Sequence, residues 1–273
     1  MYQVRPIRDE DVTRVAGFMA ATLNPRPGIP GWEAVMRPPW GNTGPNHGFL
    51  LEKQGAIVGA YLAVYSEGKC NLAAFSVLPD FRSHTLALCR ALIRQPGYTF
   101  TDLSPSGNVV ALNERLGFRH LDTASSLVPN IPRPARSEIR VTADHSKIGK
   151  RLSGSDSRIF HDHAGAAAAQ HLLAYNTDSY AHLVYRRDRR RQLPLFASPL
   201  HVGGDRVLLE QAWPVVATRL FREGLPFTLA EHRILGFRPR LGLKLAKPRP
   251  KMVRGAEDGN LDYLYSELAL LQW

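Results

Sequence analysis

The stretch NLAAFSVLPDFRSHTLA, residues 71–87, decides how the first half of this chain is read. Residues 70–78 form an apolar run after Gly68 and read as a strand, Pro79 stops it, and residues 85–94 have helical spacing. A strand that turns straight into a helix leaves unpaired backbone N–H groups at the positive end of the helix dipole, which suits a phosphate. Arg82 brings charge to that turn, Ser83 and Thr85 bring hydroxyl donors, and His84 adds charge when protonated. Upstream, residues 48–53 and 56–65 are two strands joined at Gln54-Gly55, so with 70–78 they predict an antiparallel meander. Residues 2–7 alternate like a further strand, and Asp9 is expected to cap a helix carrying Val12, Val15, Ala16, Met19 and Leu23. Between them, residues 24–47 hold six prolines and read as a long loop with one short helix at most. Downstream, 98–103 is a strand and 109–116 a helix closed by Gly117-Phe118 before another strand. The predicted order is β-α-β-β-β-α-β-α-β.

Three prolines, Pro129, Pro132 and Pro134, suggest a linker, and the domain boundary is placed near Arg136, giving units 1–136 and 137–273. In the second unit, residues 164–175 read as helix, 180–187 and 193–202 as a hairpin across a basic turn from Arg186 to Arg191, and Leu209 to Leu220 as a helix containing Pro214. Residues 226–231 are a strand, and residues 261–268 alternate as a final one from which Asp262, Tyr263 and Glu267 could reach a cleft. Leu235-Gly236-Phe237-Arg238 repeats Leu116-Gly117-Phe118-Arg119, which points to an internal duplication.

At 44% hydrophobic and 22% charged residues, the 273-residue chain has apolar material for a sizeable core, which excludes wholesale disorder and fibrous repeats. It has no run of about 18 apolar residues, so no membrane span is expected, and acids at 9–11 argue against a signal sequence. With only Cys70 and Cys89, a reducing compartment, the cytoplasm, is expected. The net charge of +11 is spread as 14 basic against 10 acidic residues up to Arg136 and 21 against 14 after it. Nucleic acid is therefore a partner to weigh, though a nucleotide-containing cofactor also accounts for the charge. His161 and His163 are two apart and cannot share one metal face, so no metal is expected.

Residues 2–128 resemble the GCN5-related N-acetyltransferase superfamily, in element order and in two signatures. One runs from Val77 through Arg82 to Ala87 and is similar to the family's Q/R-x-x-G-x-G/A turn, with Thr85 in place of the middle glycine; the other, from Asn108 to Phe118, is similar to its helix ending in Leu-Gly-Phe. The resemblance implies a mixed α/β sheet flanked by helices, in two tandem copies, that uses acetyl-coenzyme A or another acyl-coenzyme A to acylate a small-molecule or protein amine, with no metal. It places the cofactor along Ser76, Val77 and Leu78, at Arg82, Ser83, His84, Thr85, Leu86 and Ala87, and at Asn108. The family's usual tyrosine acid falls at Asn113, which cannot readily supply a proton, and the 71–78 strand has no carboxylate. Asp102, at a strand end, and Glu231 beside His232, at another, are the remaining acid–base candidates. The readings that compete with an acyltransferase are a non-catalytic binding module, which Thr85 and Asn113 would suit, and a tandem-domain aminoacyl-tRNA-dependent transferase.

Overall fold

The computed structural model describes residues 2–133, 138–255 and 261–272. It contains two seven-stranded mixed sheets. The first begins with β1 (Tyr2–Pro6), β2 (Gly48–Lys53), β3 (Ala56–Ser66) and β4 (Lys69–Val77), each antiparallel to the one before, and continues into β5 (Thr99–Asp102), which runs parallel to β4. Helices α1 (Val12–Thr22) and α2 (Gly28–Met36) pack on it through Val12, Val15, Ala16, Met19, Trp32 and Val35. The helices α3 (Thr85–Ile93) and α4 (Gly107–Arg115) join β4 to β5 and β5 to β6 (Arg119–His120).

The second sheet repeats this plan. Strands β8 (Arg140–Thr142), β9 (Gln170–Tyr175), β10 (Tyr180–Arg190) and β11 (Leu193–Gly204) are successively antiparallel, and β12 (Phe227–Glu231) runs parallel to β11. Before β9 come α5 (His145–Gly149) and α6 (Gly154–His163); α7 (Arg206–Arg222) takes the place of α3, and α8 (His232–Leu235) that of α4. The repeated Leu-Gly-Phe-Arg marks the same event twice. Gly117 ends α4 at φ 84° and Gly236 ends α8 at φ 81°, both in the left-handed region that only glycine enters without strain.

The two sheets exchange their last inserted strand. β7 (Ser125–Pro129) leaves the first sheet after β6 and pairs with β12 in the second, where β13 (Leu243–Lys244) covers its other edge. In return β14 (Met252–Arg254) crosses back and lies between β5 and β6. The division expected at Arg136, a residue outside the described ones, therefore does not separate the sheets: each contains one strand from the other side of it.

Other expectations change for local reasons. Residues 164–175 are not a helix; α6 ends at His163, and the alanine-rich run after it, which has good helix propensity, leads into β9, held by its register against β10. The basic turn from Arg186 is narrower than expected, because β10 runs to Arg190 and Arg186 is buried. Residues 261–268 are not a strand: Tyr265 has φ 54°, and Ser266 then caps the short helix α9 (Glu267–Leu270). Asp9 does not cap α1, which starts at Val12; its carboxylate instead meets His47 Nε2 at 2.9 Å.

Candidate active site

Strands β4 and β5 pair only at Lys69, Cys70 and Asn71, opposite Thr99, Phe100 and Thr101. Beyond Asn71 they part. The cause is visible on the far edge of β4, where Leu62 pairs with Ala74 but Ala63 pairs with Leu72, so Ala73 is an extra, bulged residue that bends the strand. From Leu72 to Val77 the β5-facing edge of β4 meets no other described backbone group. The same device recurs in the second sheet: β11 and β12 pair only at Phe196 and Ala197, and Leu200 is the extra residue against β10. There, however, the chain fills its own opening, because Tyr263 donates its N–H to the Leu200 carbonyl and its hydroxyl to Glu231.

Both openings face one cavity of about 830 Å³, lined from the first sheet by Tyr61, residues 72–75 and Asp102, and from the second by Ser198, Leu200 and Glu231 among others. At the apex of the first opening sits a buried polar network. Asp102, which ends β5, accepts a hydrogen bond from Asn113 Nδ2 at 2.8 Å. Glu267, brought in by the C-terminal segment, accepts from Ser104 Oγ at 2.6 Å and from the Asn71 amide, and the Asn71 oxygen in turn accepts from Thr101 Oγ1 at 3.0 Å. Burial pushes the Asp102 carboxyl up to about 6, against the pull of the Asn113 and Ser104 hydrogen bonds. Burial likewise pushes Glu267, which is fully enclosed, up to about 7, and the Asp102 charge adds to that rise. Asp102, at the cavity wall, can take and give protons near neutral pH, and Glu267, enclosed behind it, reaches the cavity only through Ser104.

The candidates named from sequence separate into three groups. Asp102 lines the cavity, whereas Asn113 is buried behind it and acts on it through the hydrogen bond. Glu231 also lines the cavity but is held by Lys251 Nζ at 2.5 Å and by Tyr263, with Arg233 at 3.7 Å, so its carboxylate is engaged in an ion pair. His232 turns away to Ser126 Oγ at 2.9 Å. Ser76, Val77 and Leu78 continue β4 outward from the cavity wall at Phe75, and Arg82, Ser83, Leu86 and Ala87 are exposed beyond them at the start of α3. His84 packs its ring on Tyr2, with centroids 4.5 Å apart. Asn108 is exposed on the first turn of α4, next to Val109, which lines the cavity.

The two helix starts differ in a way that distinguishes the sheets. No side chain caps α3, but a 3-10 turn (Pro79–His84) runs straight into it and the Thr85 N–H already donates to the Arg82 carbonyl; at the start of α7 Asp205 Oδ1 accepts from the N–H groups of Val207 and Leu208. The carboxylate at the start of α7 would repel a phosphate, whereas the turn that leads into α3 exposes Arg82 and Ser83. The residue that sequence reasoning undervalued is Glu267, named only as able to reach a cleft from a strand. Its distance in sequence from Asn71 and Ser104 hid the contact, and only its isolation among apolar residues hinted at a buried role. Among the described residues no group of three His, Cys, Asp or Glu side chains is placed to hold a metal, and no helix is long and apolar enough to cross a membrane.

No family model matches the chain, and no curated protein matches it. Solved structures do. A conserved protein of unknown function from Enterococcus faecalis V583, inferred to be an N-acyltransferase, superposes with a TM-score of 0.57 at 10% identity, over 93% of this chain and 72% of that one. A GCN5-related N-acetyltransferase from Kribbella flavida gives 0.54 at 13% identity, over 93% and 71%. An inferred acetyltransferase from Pyrococcus horikoshii gives 0.53 at 12% identity, over 97% and 95%. With its bulged and parted strands, uncapped helix start and repeated plan, the chain has the GCN5-related N-acetyltransferase fold, in two tandem halves.

Proposed function

We propose that the protein is an acyl-coenzyme A-dependent N-acyltransferase, with acetyl as the first donor to test, and that it works in the opening of the first sheet. The observation that carries this reading is the unpaired edge of β4 leading from an uncapped helix start to Asp102. That edge offers backbone donors and acceptors to the amide-bearing pantetheine arm, and the turn leading into α3 offers the exposed Arg82 and Ser83 side chains to the diphosphate. The amine nitrogen attacks the thioester carbonyl, an N–C bond forms and the C–S bond breaks. Asp102, ionised above about pH 6, takes the proton from the amine. The departing thiolate takes the Ser104 hydroxyl proton, and a protonated Glu267 returns one to Ser104 Oγ along the hydrogen bond between them.

The test is thiol release from acetyl- and longer acyl-coenzyme A with a panel of amines. Asp102→Asn should reduce kcat by at least about 100-fold, the usual contribution of a positioned base, while coenzyme A still binds. If wild type binds coenzyme A but releases no thiol with any donor and amine, the protein is a binding module and the transferase reading fails.

A further inference from the structure

Among the described residues, every cation that lines the cavity comes from the second half of the chain: Arg186, Arg189, Lys247, Arg249 and Lys251. Two of them are already committed. Arg186 is buried, faces Asp188 at 3.1 Å and binds the carbonyls of Leu268 and Leu271, while Lys251 is paired with Glu231. Arg189 and Lys247 are exposed and have no partner among the described residues, and Arg249, three-quarters exposed, has only a 3.9 Å approach to Asp188. These three lie on the β10–β11 hairpin and on the proline-punctuated strip before β14, two basic segments far apart in sequence that the fold brings to one rim. The opposite polarity stands at the opening of the first sheet, where the cavity is lined by the Asp102 carboxylate and by no cation.

We propose that the acceptor is an amine that also carries an anionic group, a phosphate or a carboxylate, and that Arg189, Lys247 and Arg249 receive this group at the cavity rim while the amine turns toward Asp102. This rests on the acyltransferase reading. The donor is not the natural occupant of the rim, because its diphosphate is assigned to the exposed Arg82 and Ser83 before α3, at the outer end of β4, which belongs to the other sheet. A charge-assisted contact to a carboxylate or phosphate is about twice as strong as a neutral one, so the rim discriminates as well as attracts.

Calorimetry with phosphoethanolamine, γ-aminobutyrate and butylamine reads the proposal without relying on turnover. The two anionic amines should bind at least about 10-fold tighter than butylamine, the ratio between phosphate and carboxylate identifying the group preferred. The double variant Arg189→Gln, Lys247→Gln, which alters two exposed side chains, should abolish that preference, keep the melting temperature and change coenzyme A affinity by less than about 2-fold. Equal binding of all three amines, or no binding of any, overturns the proposal. So does a double variant that weakens coenzyme A and leaves the amine preference intact, since the rim would then serve the donor. Thiol release in the same samples separates the two claims: a preference for anionic amines without thiol release keeps the anion site and overturns the transferase.

Discussion

Asn113 stands where the resemblance calls for a proton donor, and its contact with Asp102 gives it a different task. An amide N–H donated to a carboxylate favours the ionised form, so Asn113 holds the Asp102 pKa down against burial. Asn113→Ala removes a hydrogen bond to a charged group, worth about 1.5–3 kcal/mol, or about one to two pH units. The acid limb of the kcat profile should therefore move up from about 6 by that amount, with kcat recovering at pH 9; an unmoved limb with a uniform loss would make Asn113 merely structural. Glu267 gives a test of stability. Its folded pKa, about 7, lies above the ordinary value of 4.5, so its contribution to stability is complete below about pH 4.5 and is lost as the pH rises through 7. The loss is on the order of 3 kcal/mol. Glu267→Gln keeps an acceptor for Asn71 and can donate to Ser104, so at pH 8 it should unfold at higher denaturant concentration than wild type and at pH 4 at the same concentration. Identical differences at both pH values would show that Glu267 is not tuned by burial.

The helices α3 and α7 occupy the same place in their sheets, yet only one has its first N–H groups taken up by a carboxylate. Thr85→Glu puts a negative charge beside Arg82 at the start of α3 and should weaken coenzyme A by up to about 10-fold, since a charge at a helix start is worth up to about 1–2 kcal/mol. Asp205→Ala should cost about 1 kcal/mol of stability and leave coenzyme A affinity unchanged. Calorimetry and denaturant melts of both variants check the pair; if Asp205→Ala weakened coenzyme A instead, the second sheet would hold it. Elements of this kind were legible in the sequence where a local signal fixes them. Strands 48–53 and 56–65 around Gln54-Gly55, the strand entering Pro79, and the helix closed by Gly117 all follow from turn chemistry and periodicity, whereas the short helix before Gly236 was marked only by its repeat of Leu-Gly-Phe-Arg. The alanine run after His163 misled because propensity there is overridden by pairing of β9 with β10. Residues 261–268 alternate like a strand without becoming one, since their partners are Leu200, Glu231 and Asn71 on three separate strands. Asp102 was identifiable as a strand-end carboxylate, but its pairing with Asn113 and the arrival of Glu267 are long-range facts that no spacing encodes.

In the whole molecule the two halves are interlocked by β7 and β14, so neither sheet is complete within residues 1–136 or 137–273. Met252 and Val253 of β14 are fully buried between β5 and β6, and burying two such side chains is worth roughly 1.5–3 kcal/mol each. Losing them is a large fraction of the margin of about 5–15 kcal/mol that holds an ordinary domain folded. The buried network beside the cavity is divided in the same way, because Asn71, Ser104 and Asp102 belong to the first half and Glu267 to the second. A fragment of residues 1–136 would therefore lack the strand that joins β5 to β6 and leave the Asn71 amide and the Ser104 hydroxyl without their partner. That fragment alone should show no cooperative thermal transition, and the same should hold for 137–273. Produced together as separate chains, the halves should associate one to one, recover a cooperative melt and bind coenzyme A, because each supplies the strand the other needs. Size-exclusion chromatography and circular dichroism of the single and paired halves decide this; a cooperative melt of 1–136 alone would make the exchange a dispensable embrace, with the first sheet self-sufficient.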